Sequence, residues 1–361
     1  MLTLIIFVVV LSILVFVHEF GHFITAKRAG MKVEEFGFGF PPRLFGIKKG
    51  ETIYSINWIP FGGFVKILGE SGEEKDNPQS FASKKAGVRS RVIVAGVAMN
   101  ILLAILLLAV GNWVGLRVGL INDAQFGQAK DIKVQIIQVA EDSPAAQAGL
   151  RVLDEITVLS VGDQRIEIAR VEDVQEFVNQ NLGREVKMQT KSGDQSREVS
   201  VVPRINPPEG EGALGVSLAA TGIIDYPWYE AIGRGVTDSV FILQHTAIGY
   251  ATIIKNAVIS GKAGVELSGP VGIAVITGQA ARLGFTYLMQ FTALISLNLA
   301  ILNIIPFPAL DGGRLLFIGI EKARRGKPVP KKIEAAVNSV GFALLIMLMI
   351  YVTTKDILKF L

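Results

Sequence analysis

Residues 2–28 read LTLIIFVVVLSILVFVHEFGHFITAKR. Residues 2–17 are apolar apart from Thr3 and Ser12; the apolar character resumes after His22 and stops at Lys27-Arg28. A helix of about 25 such residues is long enough to cross a hydrocarbon core of about 30 Å. Three more apolar runs follow, at 92–116, 283–305 and 335–352. Of the 361 residues, 50% are hydrophobic and 19% charged, whereas a soluble domain carries about a quarter charged residues. The expected fold is therefore membrane α-helical, with four transmembrane helices instead of one large soluble core. The first run reads as a retained span and not a signal peptide: no Lys or Arg precedes it and no small-residue cleavage site follows.

Charge orients the spans. Segment 25–91 holds 12 Lys and Arg against 7 Asp and Glu, and segment 321–332 holds 6 against 1, while segment 118–281 holds 13 against 20. Basic flanks stay in the cytoplasm, so Lys27, Arg28, Arg89 and Arg91 put 25–91 inside, 321–332 joins it, and both termini lie outside. The net charge of +4 is carried by these loops, and no nucleic-acid partner is expected. A fifth apolar stretch, 236–260, also contains His245, Lys255 and Asn256. Its Ile232, Val236, Val240, Leu243, Ala247 and Ile248 recur at helical spacing, which predicts an amphipathic helix lying at the membrane interface.

Residues 130–204 read as a small α+β domain. IKVQIIQVA (132–140) alternates like a strand, and SPAAQAGL (143–150) opens a short helix that Ser143 can cap and Gly149 can end. A hairpin over 154–166 turns at Gly162-Asp163. The helix over 171–183 presents Val171, Val174, Phe177, Val178 and Leu182 on one face and closes with Gly183. A second hairpin turns at Ser192-Gly193-Asp194, and Pro203 to Pro208 reads as a linker leading away.

The chemistry is concentrated in few residues. With no cysteine in the chain, disulfides, thiolate zinc sites, iron–sulfur clusters and a cysteine nucleophile are excluded. There are three histidines, and two of them form His18-Glu19-Phe20-Gly21-His22. On a helix, positions i and i+4 share a face, so both imidazoles can reach one metal ion, and neutral imidazole suits Zn2+. Glu19 is placed to take a proton from a metal-activated water. Ionisable groups inside a span are costly, about 2.5–3.5 kcal/mol for a charge at the centre, and three clustered ones call for a partner. The bland alternative is that they sit at the cytoplasmic end and touch headgroups.

A catalytic zinc site takes three protein ligands. His245 falls in the amphipathic stretch, on the opposite membrane face, so the third ligand is expected to be a carboxylate near a span. Asp311 is the candidate, in Asn303-Ile-Ile-Pro306-Phe-Pro308-Ala-Leu310-Asp311-Gly312-Gly313, where the prolines break the third helix. Spans two and three bring Asp311 back to the cytoplasmic side only if 236–260 does not cross. An ordinary Pro/Gly-rich turn is the competing reading of this segment.

Taken together, HExxH in the first span, the insert after the second and NxxPxPxLDGG after the third resemble the site-2 protease family of intramembrane zinc metalloproteases, in its compact RseP-type form. The insert, with its SPAAQAGL, resembles a PDZ domain of the circularly permuted bacterial type, departing from it at Arg151 to Glu155, where a Gly-Asp pair is usual. The resemblance implies His18, His22 and Asp311 as Zn2+ ligands, Glu19 as the catalytic residue and Asn303 as a substrate or oxyanion contact. It also implies that Gly62 to Glu70 is a membrane-associated β-loop, whose Gly63, Phe64, Val65, Lys66 and Ile67 pair with an unwound substrate. Ala95 to Asn100 matches the second-span motif, except that Val97 stands where proline is usual. Ser268 to Ile273 matches a loop before the third span.

The implied organisation is a first transmembrane helix with HExxH (1–27), a cytoplasmic β-loop region (28–90) and a second transmembrane helix (91–117). An extracytoplasmic PDZ domain (128–204) and a linker with the interfacial helix (205–281) follow. The third transmembrane helix (282–305), the LDGG segment with a basic loop (306–333) and the fourth transmembrane helix (334–354) complete the chain. The implied activity is cleavage of single-pass membrane proteins such as anti-sigma factors or remnant signal peptides, in a bacterial plasma membrane. The active site would lie near the cytoplasmic side, with peptide C-termini or segments at the PDZ groove and the lipid bilayer as the other partner. Two other readings compete: a PDZ-bearing membrane scaffold with a structural zinc site, and a metal transporter, which would want more intramembrane ligands than the spans offer.

Overall fold

A computed structural model describes residues 2–193, 195–208, 210–260 and 269–360. They form two compact units, a helical one (1–110, 229–281 and 288–361) and a sheet unit (111–228 with 282–287).

The helical unit opens with α1 (Leu2–Arg28), whose last turn carries Lys27 and Arg28, where cations favour the negative end of the helix. The strands β1 (Val33–Lys49) and β2 (Thr52–Ile67) follow as an antiparallel hairpin. Both strands bend. Residues 33–38 of β1 pair with 63–67 of β2 on one side and with 53–56 on the other, and 43–49 pairs with 52–57. The hairpin is thus a four-ribbon sheet in the order 63–67, 33–38, 53–56, 43–49, with Gly63 to Ile67 on an edge. α2 (Ala86–Val114) is apolar along nearly its whole length.

In the sheet unit come β3 (Leu116–Gly119), α3 (Asp123–Gln128), β4 (Lys130–Val139), α4 (Pro144–Gln147), β5 (Glu155–Val161), β6 (Gln164–Glu167), α5 (Val171–Gln180), β7 (Val186–Ser192), β8 (Gln195–Val201) and β9 (Val216–Ile224). They build a seven-stranded antiparallel sheet in the order β3-β9-β4-β5-β7-β8, with β6 beside β5. Val134, Ile136, Ile156, Leu159, Val174, Phe177 and Met188 form its core. Ser143 Oγ accepts the Ala146 N–H (3.1 Å) and starts α4, and Gly183, at φ +73°, ends the turn after α5.

The chain then returns to the helical unit as α6 (Trp228–Ser260), α7 (Pro270–Leu283), α8 (Phe285–Ile304), α9 (Asp311–Ala323) and α10 (Lys331–Phe360). Among the described residues four helices, α1, α2, α8 and α10, are long and apolar enough to cross a membrane, as the four apolar runs predict.

Two expectations need correcting. The segment expected to lead away as a linker comes back: β9 lies between β3 and β4, so the sheet extends on both sides of 128–204. The reason is edge satisfaction, since β4 would otherwise expose a row of unpaired backbone groups. The amphipathic helix starts earlier, at Trp228, and packs against two spans: Gly235 lies against Ile105 and Ala109 of α2, and the Tyr250 hydroxyl donates to Asn298 of α8 (2.8 Å). For the LDGG segment it is the competing reading, an ordinary turn, that falls short, because Asp311 opens α9. Ser268 and Asp194, both named in the sequence reading, lie outside the described residues.

Candidate active site

His18 and His22 sit one turn apart on the inner face of α1, each 7% exposed. α2 passes close beside them at Gly96. A Cβ at Gly96 would stand 2.5 Å from His22 Nε2 and 2.8 Å from His18 Cε1, so only glycine allows this approach. The Val92 carbonyl of α2 accepts from His22 Nδ1 (2.8 Å). In the neutral ring this bond holds the proton on Nδ1 and turns the Nε2 lone pair inward.

The third member arrives from the broken end of α8. Pro306 and Pro308 cannot continue that helix. Ala309 adopts φ +73°, and its N–H is held by Asn338 Oδ1 of α10 (3.2 Å). Asp311 then opens α9. The two glycines after it are required by crowding: a side chain at Gly312 would run into the carbonyls of Ile304 and Ile305, and one at Gly313 into that of Phe307.

Asp311 Oδ2 lies 3.0 Å from His18 Nε2 and 3.2 Å from His22 Nε2, and the two Nε2 atoms are 3.1 Å apart. Burial opposes ionisation of Asp311, but hydrogen bonding with His18 and then His22 reverses this and holds its carboxyl well below the usual carboxylate range. Tetrahedral ligands about 2.0–2.1 Å from a zinc ion stand about 3.3 Å from one another. The observed triangle is slightly tighter than that, and it is built from two imidazole nitrogens and a carboxylate oxygen, so the donor set fits a zinc ion. Among the described residues, this is the one group of three such side chains with ligand atoms within 4.8 Å of one another.

Glu19 follows His18 on α1, and its Oε2 accepts the Val65 N–H (3.2 Å). Val65 belongs to the edge ribbon of β2, which lies along α1. Gly62 and Gly63 rest on Val15 and Phe16, and Ser12 Oγ donates to the Pro60 carbonyl (2.6 Å) and accepts the Gly62 N–H (3.3 Å). Phe64 and Val65 are half-buried and Ile67 is buried, while Lys66 is exposed and paired with Glu34 (2.8 Å). The edge ribbon is further tied to the start of α9, because Glu70 accepts from the Ile67 N–H (3.4 Å) and forms an ion pair with Arg314 (2.6 Å).

The structure therefore brings His18, His22, Asp311, Glu19 and the edge ribbon together. Asn303 is half-buried in the last turn of α8, outside the three-donor group. His245 is exposed on α6, and its Nδ1 donates to the Phe241 carbonyl (2.9 Å). Two contacts went unforeseen, the Glu70–Arg314 pair and the approach of Asn100 to His18. The second had a signal, since Gly96 and Asn100 are four apart and share a face of α2. The first had none, since it joins residues 244 positions apart in the chain.

Residues 6–348 match the model of peptidase family M50. A protein named as a putative zinc metalloprotease from Clostridium perfringens is 36% identical over 96% of this chain and 96% of its own length. The zinc metalloprotease RasP of Oceanobacillus iheyensis is 32% identical over 99% of each chain. The regulator of sigma-W protease RasP of Bacillus subtilis is 30% identical over 98% of each.

Proposed function

The chain belongs to peptidase family M50 and is a membrane metalloendopeptidase, and on that premise we propose that it cleaves the transmembrane segments of single-pass membrane proteins with zinc. In this proposal His18, His22 and Asp311 hold Zn2+ and Glu19 is the catalytic residue. The observation that carries it is the 3.0–3.2 Å triangle of donors, two on the first span and one at the start of α9, with the Glu19 carboxylate next to His18 in sequence. Several relatives are named zinc metalloproteases, which supports the choice of metal.

Zn2+ held there would act as a Lewis acid on the scissile carbonyl and lower the pKa of the attacking water. Glu19 takes the proton from that water and returns it to the leaving amine. The Val65 N–H keeps its carboxylate in place meanwhile. Gly63, Phe64, Val65, Lys66 and Ile67 receive an unwound substrate by strand addition at the free edge of β2. Asn303, at the end of α8, contacts the substrate backbone.

The sheet unit is proposed to be an extracytoplasmic PDZ domain that limits access, so that only substrates already trimmed outside reach the site. Its groove takes peptide C-termini or segments. The basic loops keep the catalytic side cytoplasmic, in a bacterial plasma membrane. Anti-sigma factors and remnant signal peptides are the proposed substrate classes, and the Bacillus subtilis relative's name supports the first.

Glu19→Gln tests the mechanism against a merely structural zinc site, since the amide keeps an acceptor for Val65 but cannot carry the proton. The purified variant should bind Zn2+ and cut a tagged single-pass membrane protein about 10²–10⁴-fold more slowly. Cleavage at the wild-type rate by the zinc-loaded variant would overturn the assignment.

A further inference from the structure

Asn100 is 1% exposed on α2, one turn beyond Gly96. Its Nδ2 lies 3.4 Å from His18 Nδ1, while its Oδ1 is buried with no hydrogen-bond partner. Ser296 Oγ of α8 donates to the Asn100 backbone carbonyl (2.8 Å), which fixes the position of this residue between two helices. A buried amide atom left unpaired is destabilising, and an apolar residue at 100 would avoid that cost. The carboxamide is therefore placed against stability, and it faces an imidazole of the proposed metal site.

We infer that Asn100 is a positioning residue for His18, with its Oδ1 accepting the Nδ1 proton when Nε2 serves as a metal ligand. The inference rests on the proposed ligand role of His18. With Nε2 given to a metal, the neutral ring carries its proton on Nδ1, and that proton needs an acceptor. His22 has one in the Val92 carbonyl; for His18 the polar side chain at hand is Asn100. A half-turn of the carboxamide puts the oxygen where the nitrogen now stands, 3.4 Å from Nδ1. In the orientation seen, Nδ2 donates to Nδ1, and Nε2 directs its proton at Asp311 Oδ2 (3.0 Å). An asparagine can serve both tautomers, which neither leucine nor aspartate can.

The test uses full-length protein in detergent and Zn2+ in competition with a chelator. Asn100→Leu should bind Zn2+ about 10–100-fold more weakly than wild type, the usual loss when a ligand's orienting partner is removed. Asn100→Asp, which keeps an acceptor, should restore most of the affinity. Wild-type affinity in Asn100→Leu, or equal weakness in both variants, would overturn the inference. His18→Ala serves as the control: if it too binds Zn2+ as wild type does, the ligand assignment has failed, and not the role of Asn100. A second readout does not depend on the Asn100 variants folding. With three histidines in the chain, nitrogen NMR of the histidine-labelled, zinc-loaded wild type should show one ring protonated on Nδ1 that is absent from the spectrum of His18→Ala. A His18 ring that keeps its proton on Nε2 would overturn the inference equally.

Discussion

Ile13 of α1 and Ile137 of β4 are almost equally exposed, at 46% and 50%, yet they sit in surfaces of opposite kind. Around Ile13 the outward residues of α1 are Leu2, Leu4, Ile5 and Val9, while Ser12, His18 and His22 face inward. The sheet unit that carries Ile137 does the reverse: it buries Ile136, Leu159 and Met188 and exposes charged pairs such as Lys187 and Glu198. The β1–β2 hairpin sides with α1, exposing Phe40, Phe45, Ile47 and Trp58. A continuous apolar exterior of this size marks a surface that is not meant for water. Polarity turned inward has a second consequence. Where lipid surrounds a helix, the interior is the natural place for ionisable groups, and that is where the candidate site lies.

Four changes break or sharpen this contrast. The largest effect is expected from removing the sheet unit's core while leaving the helical unit alone. The Ala140 N–H donates to the Gly215 carbonyl across the β4–β9 pair (2.8 Å), so residues 141–214 can be replaced by a two-residue hairpin turn such as Asn-Gly. If the unit restricts access, the excised protein should cut untrimmed membrane proteins that the full chain leaves intact. Bulky substrates that stay uncut would refute the filter.

Next in size is Leu159→Ala, which opens a cavity at a fully buried position and should cost the sheet unit about 2–5 kcal/mol. The measurement is the unit's thermal transition, alongside cleavage of a pre-trimmed substrate, which should hold its wild-type rate. A comparable loss is expected from Ile13→Asp, about 2.5–3.5 kcal/mol if the residue sits near the bilayer centre, read as reduced membrane insertion. Ile137→Asp should be the smallest of the four, within about 0.5 kcal/mol. Equal outcomes for the two isoleucines would show that the helical unit's exterior faces water after all.

How much of this could be read from the chain varies with the range of the interaction. The apolar runs, the HExxH spacing, the Ser143 cap and the Gly183 stop are local patterns of period or of single residues, and they lie in the sequence. Asp311 could be proposed through chemistry: without cysteine, and with His245 placed elsewhere, the third ligand of a zinc site would be a carboxylate near a span. The return of β9 was missed because a strand's partner is set by pairing across about 80 residues, and no local signal marks it. α6 was given its helical character correctly, but its packing against α2 and α8 depends on Gly235 and on the Tyr250–Asn298 bond, neither visible in a periodicity. The Glu70–Arg314 tie and the Asn100 contact belong to the same class.

The sequence by itself determined that this is a chain of membrane helices with an inserted α+β segment and a pair of histidines on one helical face, because hydropathy and helical period act over a few residues. Only the tertiary structure decided that Asp311 Oδ2 comes within 3.2 Å of both imidazoles, that Glu19 meets the Val65 N–H of an edge ribbon, and that Gly96 lets α2 close over the rings. The reason is physical: a site of this kind is assembled by the packing of distant elements, and close packing of particular side chains, which no local rule encodes, fixes its distances.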